Sequence, residues 1–391
     1  MIPILTIWSC MKILVHLHLY KSYWSNHLKL VKILIIFIRN CKKRKILLVS
    51  HELTNTGAPI ALLGLAKILR EMDYFVVVYS PLRGPLSSEF KKNDIPVIIL
   101  RKLFFRISAS ALKSFCLIVC NTVVAYKYVK ILDKKNINYM WWLHEAAYFE
   151  SFFQKRPESL NVIRSAKNIY TVSKFSRSFI SKYNDNVKIL NFGITDDSFK
   201  YNSGVEKYDK TVFILPASII PVKGQDILIK AFGDLEEKYC KKIEVVFCGS
   251  KGNDLKYYND FVNKISKYEY MKYLGELSHD ETLKLISESN VLVLPSRGDS
   301  YSIITIEALM LDKPVLISNR TGVAEYITNG VNGVIFDVDK IDELTNCIRK
   351  FIDNPNIIKS SESRKLYLNV FGIDKYKNRI KSLLKENNII V

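Results

Sequence analysis

No two cysteines in this 391-residue chain are spaced as CxxC, although seven are present. An odd, scattered set argues against a disulfide framework or a zinc site and fits reduced, mostly buried thiols of a cytosolic protein. Long hydrophobic runs are lacking too. Ile33–Ile38 falls far short of the roughly 20 apolar residues that a spanning helix needs, and Lys29 and Lys32 interrupt its near side. Residues 1–10 have neither a basic n-region nor a small-residue cleavage site, so no secretory signal is expected. Acidic residues are absent from the first 45 positions, which carry nine basic ones. What remains is 48% hydrophobic and 25% charged, which excludes disordered, collagen-like and low-complexity chains. The length predicts two domains.

The formal charge of +20 is unevenly placed: residues 1–200 hold 31 basic and 12 acidic residues, residues 201–391 hold 27 and 26. A basic surface attracts nucleic acid, anionic lipid or an acidic substrate. Zinc-finger spacing, an RNP-type strand and a basic helix feeding heptads are all missing, so no nucleic-acid partner is expected. A membrane surface fits better. Leu28–Ile38 mixes lysines with large apolar residues and runs into Arg39, Lys42, Lys43, Arg44 and Lys45, and Arg101–Arg106 repeats the pattern. Each basic residue near an anionic leaflet contributes about 1 kcal/mol. Residues 1–44 are therefore expected to form an interfacial helix; a basic extension packed on the first domain is the alternative.

From Lys45 onward, short apolar runs alternate with amphipathic ones. Strands are predicted at 45–50, 75–79, 97–100, 115–120, 138–143, 169–172 and 187–190, with a helix at Ala58–Arg70. After a polar linker at 201–209 the alternation resumes. Strands fall at 211–216, 243–248, 291–294, 314–318 and 333–336, and helices at 224–236, 279–287, 303–311 and 341–352. Strand–helix alternation of this kind implies two doubly wound α/β domains, each a parallel sheet covered on both faces. Ligands in such folds sit at the carboxyl ends of the strands, here in a cleft between the domains.

The most informative segment is Leu292–Ser318. A buried strand ends at Pro295-Ser296, and the loop Arg297–Ser300 leads into a helix whose first N–H groups favour an anion. Asp299 lies in the loop and Glu307 eight residues on, in the helix. Carboxylates accept hydrogen bonds from sugar hydroxyls, so one stretch can hold phosphates and a sugar together. The bland alternative makes Asp299 a helix cap and Glu307 a solvated helix residue.

Asp299-Ser300-Tyr301-Ser302, Ile303–Ile306 and Glu307-Ala308 resemble the carboxylate signature of family 4 glycosyltransferases, a retaining group of the GT-B fold. Two positions depart from it: the first Glu is Asp299, one methylene shorter, and Ser302 replaces a Gly. Phe213–Ser218 and Val222–Asp226 resemble the family's first strand and lysine–glycine turn, so the resemblance gives Lys223 a contact to the donor diphosphate. The arginine usual near Ser218 is absent, and Arg297 and Arg320 are candidates for the second positive charge. Gly249 matches a glycine turn, and Tyr273–Leu277 the stretch near the nucleobase, with Leu274 in it. Gly57 and Ala58, in Ser50–Pro59, resemble the GAP loop of capsule and exopolysaccharide members. His144, after Trp141–Leu143, stands where the family has a histidine facing the donor sugar. His51 and Glu145 are lesser candidates.

The resemblance, from Lys45 to Pro355, implies a GT-B enzyme. Its expected regions are the extension 1–44, an acceptor-side Rossmann-like domain at 45–204, a nucleotide-sugar domain at 205–375 and a C-terminal helix at 376–391. His144, Lys223, Asp299 and Glu307 carry the catalytic expectation; Gly57, Ala58, Gly249, Leu274, Ser300, Tyr301 and Ser302 carry donor binding. No cluster has metal-ligand spacing, so no metal or cofactor is expected. The expected partners are a nucleotide diphosphate sugar, a lipid-linked or oligosaccharide acceptor and an anionic membrane surface. This would place the protein in the cytoplasm, on the inner face of the cell membrane, in surface-polysaccharide synthesis of capsule or lipopolysaccharide type. A non-catalytic nucleotide-sugar-binding membrane partner and a nucleotide-sugar epimerase are the alternatives.

Overall fold

Runs of Val, Ile, Leu and aromatic residues without polar alternation make strands that are buried on both faces and need helices on each side. The computed structural model describes residues 43–100, 104, 107–201, 210–354, 357–359 and 361–389. The expected interfacial helix, most of the second basic stretch and most of the 201–209 linker lie outside the described residues. Among the described residues, no helix is long and apolar enough to cross a membrane.

The chain forms two compact units. The first takes residues up to Val172, Arg177–Leu190 and Lys381–Val391; the second takes Ser173–Ser176 and Asn191–Ile380. The division at Leu190–Asn191 comes earlier than the expected 204/205, because the chain after Leu190 already packs on the second unit. Ile194 N–H donates to Phe371 O at 2.9 Å. Tyr301 Oη donates to Phe192 O at 2.9 Å. A Cβ on Gly193 would lie 2.4 Å from Phe371 O, so only glycine permits that approach.

The first unit holds seven parallel strands: β1 (Lys45–Val49), β2 (Phe75–Ser80), β3 (Val97–Ile99), β4 (Leu117–Asn121), β5 (Tyr139–Leu143), β6 (Ile169–Thr171) and β7 (Val187–Ile189). Their order is β3-β2-β1-β4-β5-β6-β7, so the direction of winding reverses between β1 and β4. The second unit holds β8 (Thr211–Pro216), β9 (Ile243–Cys248), β10 (Met271–Tyr273), β11 (Val291–Leu294), β12 (Val315–Ser318) and β13 (Gly333–Phe336), also parallel. Their order, β10-β9-β8-β11-β12-β13, reverses between β8 and β11. In open α/β sheets such a reversal opens a crevice beyond the carboxyl ends of the two strands. β10 is the one strand of the second sheet that sequence periodicity did not reveal.

Aromatic side chains fill both cores. In the second unit Phe213 meets Phe232 edge-on at 5.1 Å, and Phe247 meets Phe261 at 5.2 Å. In the first, Trp141 and Trp142 are fully buried. A buried indole needs an acceptor for its N–H. Trp141 Nε1 donates to Thr122 O at 2.7 Å and Trp142 Nε1 to Leu190 O at 3.0 Å. Trp141 thereby ties β5 to the end of β4. Trp141→Phe leaves the Thr122 carbonyl without that donor and is expected to destabilise the first unit by about 1–3 kcal/mol. Urea unfolding followed by far-UV circular dichroism reads this; an unmoved midpoint would contradict it.

Candidate active site

The lysine–glycine turn after β8 and the carboxylate loop after β11 meet at the reversal of the second sheet. Lys223 Nζ contacts Asp299 Oδ2 at 2.6 Å. Gly224 makes this approach feasible: its φ is +74°, and a Cβ there would sit 2.0 Å from Pro295 O. Three further bonds fasten the two loops. Ser296 Oγ donates to Val222 O at 2.9 Å, Arg297 N–H to the same oxygen at 2.8 Å, and Arg297 Nη1 to Pro221 O at 2.5 Å.

Both candidate arginines are ion-paired within the second unit. Arg297 forks Asp226 at 2.9 and 2.6 Å, and this pair holds the Asp226 carboxyl below its usual range against the opposing effect of burial. Tyr257 Oη donates to the same Asp226 at 2.9 Å. Arg320 pairs with Asp339. The guanidinium of Arg297 therefore shapes the Lys223 turn from behind, a role not foreseen from sequence.

Asp299 also organises its own loop, since its Oδ1 accepts from Tyr301 N–H at 3.3 Å. The helix Ile303–Met310 begins directly after. Ser302, at the position usually held by glycine, caps it and accepts from Thr305 N–H at 3.4 Å. Tyr301 was expected to bind donor, but its ring is buried against Phe192 and its hydroxyl is spent on the Phe192 carbonyl. Only its backbone is left for a ligand. Ser300 is half-buried, and its carbonyl accepts from Ser173 Oγ at 2.7 Å.

Glu307 is not a solvated helix residue. Its side chain is 8% exposed, and its Oε1 lies 2.6 Å from His279 Nε2. His279, which sequence reasoning passed over as a helix residue, opens the helix His279–Glu288. Ser278 and Glu281 frame that helix start as a reciprocal capping box. The S-x-x-E pattern was legible in the sequence; the Glu307 partnership was not.

Gly249 and Leu274 lie side by side at the carboxyl ends of β9 and β10. Gly249 has φ +141°, and a Cβ on it would meet Ala217 O at 2.2 Å. Its N–H donates to Gly275 O at 2.8 Å, and Leu274 N–H donates to Phe247 O at 2.9 Å. The Leu274 side chain is 46% exposed, an apolar surface at the same sheet end as Lys223.

Gly57, Ala58 and His144 belong to the first unit. Gly57 opens the helix Gly57–Glu71, whose start has no side-chain cap, and Ala58 O accepts from Asn121 Nδ2 at 3.0 Å. At the reversal between β1 and β4, His51 Nδ1 and Thr122 Oγ1 are 3.0 Å apart. His144 follows β5 and packs on the Trp142 ring at 4.4 Å. Burial pushes its imidazole down to about 3, so the ring is neutral at physiological pH. Glu145 accepts from the N–H groups of Val123 and His144, both at 3.0 Å. Burial nevertheless pushes its carboxyl up to about 7.

The comparisons with known proteins bear on the fold. Residues 197–369 match the family model for glycosyl transferases group 1, and residues 42–193 match that for glycosyl-transferase family 4. Each model covers less than half of the chain and the two lie end to end, one on each unit; the fold is the GT-B fold of two parallel-sheet α/β units. An uncharacterized glycosyltransferase of Methanocaldococcus jannaschii is 25% identical over 57% of this chain and 60% of its own length. The chain thus aligns with less than two thirds of that relative. Among solved structures, HepE of Anabaena in complex with UDP and glucose superposes with a TM-score of 0.76 at 19% identity, over 88% of this chain and all of that one. Sucrose-phosphate synthase of Thermosynechococcus elongatus does so with 0.68 at 14% identity, over 88% and 99%. At such identities the structures speak for the fold.

Two outcomes follow. Gly224→Ala is expected to cost about 2–5 kcal/mol through its left-handed backbone and the Pro295 clash; an unchanged denaturation midpoint would count against the turn geometry. Glu145 binds its proton more readily folded than unfolded. Its contribution to stability is therefore full below the unfolded carboxyl range near 4.5 and is lost as pH rises through about 7. Glu145→Gln should flatten the melting temperature against pH across that window, and an identical slope would be inconsistent with the buried carboxyl.

Proposed function

We propose that this chain transfers a hexose from a nucleotide diphosphate sugar to a hydroxyl of a growing, lipid-linked surface polysaccharide, with retention at the anomeric carbon. The observation that carries the reading is the meeting of Lys223 and Asp299 at the β8/β11 reversal. An ammonium has three donors, so Lys223 can hold Asp299 and still meet a diphosphate oxygen. The start of the helix at Ile303 offers further N–H groups and a favourable dipole to the same anion. Asp299 and Glu307 accept donor hydroxyls, and the exposed Leu274 offers an apolar rest for the base.

The bond that breaks joins the anomeric carbon to a diphosphate oxygen. The acceptor oxygen forms the new bond on the same face, and the departing diphosphate takes the acceptor proton. Lys223 and the helix start stabilise the charge that grows on the leaving group. UDP and UDP-glucose are bound in the HepE structures, which supports a nucleotide-sugar donor here. The basic N-terminal sequence supports work on lipid-linked acceptors at an anionic membrane surface, on its cytoplasmic side. The Gly57-Ala58 loop supports the capsule or lipopolysaccharide class.

Lys223→Ala and Glu307→Ala are each expected to lower transfer about 10²–10³-fold, the usual cost of one charge-stabilising group, with circular dichroism unchanged. Transfer is read with radiolabelled nucleotide sugars and a lipid-linked acceptor extract. Full activity in both variants would overturn the site.

A further inference from the structure

Among the described residues, His279 is the one basic partner of the site carboxylates that the reaction above does not use. Its place is fixed from below by the Ser278–Glu281 capping box, in which Ser278 N–H donates to Glu281 Oε2 at 2.8 Å. Its ring reaches Glu307 Oε1 at 2.6 Å. The two partners differ sharply in exposure: 64% for the His279 side chain and 8% for Glu307. The carboxylate is held by the protein, whereas the imidazole stands in solvent and can swing away at small cost. A carboxylate can accept a vicinal diol with one hydroxyl on each oxygen, and His279 already occupies an acceptor site of Glu307 Oε1.

We propose that His279 is a proton-operated latch on Glu307: the imidazolium holds the carboxylate, and a donor's hydroxyls capture it by displacing the ring. This rests on Glu307 being a donor-binding group, as proposed above. The charges around the ring set the direction. Glu307 faces it from the helix Ile303–Met310, Asp280 from its own helix, and Asp197 from the segment before the turn Ser198–Tyr201. Asp280 accepts from Tyr201 Oη at 2.8 Å, and Asp197 pairs with Lys200 at 2.9 Å. The hydrogen bond to Glu307 is the largest influence, and it lifts the imidazole above its ordinary 6.5. A donor that takes Glu307 removes that influence, so binding releases a proton. Affinity therefore rises with pH from near 6.5 upward and levels off once the free protein's imidazole is neutral. A diphosphate diester does not titrate in this window, so the effect belongs to the protein.

The test is calorimetric binding of UDP-glucose, and in parallel GDP-mannose, at pH 6.0 and 8.5 to the full chain and to His279→Gln. Wild type is expected to bind measurably more weakly at pH 6.0 than at pH 8.5, because the imidazolium must give up its proton when donor takes Glu307. His279→Gln is expected to change about twofold or less and to bind at least as tightly as wild type at pH 6.0. Parallel pH dependence in both proteins, or weaker binding by the variant at pH 6.0, overturns the latch and leaves the donor site standing. Binding of neither sugar nucleotide to either protein withdraws the donor reading, and the latch falls with it. Imidazole titration by NMR gives the direct reading: the His279 midpoint lies above 6.5 in the free protein and falls toward it when donor is saturating. A midpoint that bound donor does not move overturns the proposal.

Discussion

The contact between Lys223 and Asp299 is the constraint on which the site depends. It joins side chains 76 residues apart in sequence, and it exists because β8 and β11 are neighbours at the one place where the second sheet reverses its winding. Both side chains are largely shielded, at 27% and 11% exposed. In such surroundings, removing one partner costs more than the pair is worth, because the other is left unpaired. The Arg297–Asp226 fork and the glycine at 224 keep the turn pressed on the carboxylate loop. The guanidinium that sequence offered as the second positive charge also fastens the turn that carries the lysine. Positioning of this kind matters for group transfer, where a misplaced charge loses most of its value.

The same principle operates in the first unit. Its reversal lies between β1 and β4, and there His51 meets Thr122. Thr122 has φ +73° and ψ 162°, a conformation almost reserved for glycine. The surroundings over-determine it. Its N–H donates to Trp142 O at 2.8 Å, its carbonyl accepts from Trp141, and its hydroxyl is engaged by His51. The buried tryptophans are thus the props of a strained turn at a strand end, where α/β folds place their ligand contacts.

Much of the architecture was legible in the sequence, because a parallel sheet covered on both faces writes itself as continuous apolar runs. Thr211–Pro216, Ile243–Cys248 and Val291–Leu294 match the strands residue for residue. Met271–Tyr273 escaped notice because it is a three-residue edge strand with exposed Lys272 at its centre, too short to show a period. The family resemblance picked out Lys223, and the loop-and-helix spacing picked out Asp299 and Glu307. It could not show that Tyr301 turns into the core, since motif position and side-chain direction are separate facts. Nor could it pair His279 with Glu307 or Arg297 with Asp226, which only the packing of helices against strand ends brings together. The residues usual at positions 218 and 302 are missing for different reasons: Ser302 does a helix cap's work, while Ser218 Oγ lies 2.9 Å from Ser250 Oγ.

The central claim is that Lys223, set at the β8/β11 reversal, grips a diphosphate. The most direct measurement compares the affinity of UDP and GDP with that of uridine and guanosine, in wild type and in Lys223→Ala. The account predicts that the substitution weakens the diphosphates at least about tenfold, in line with the loss of a charge-assisted hydrogen bond, and leaves the nucleosides unaffected. Equal weakening of diphosphates and nucleosides, or no weakening of either, would contradict it.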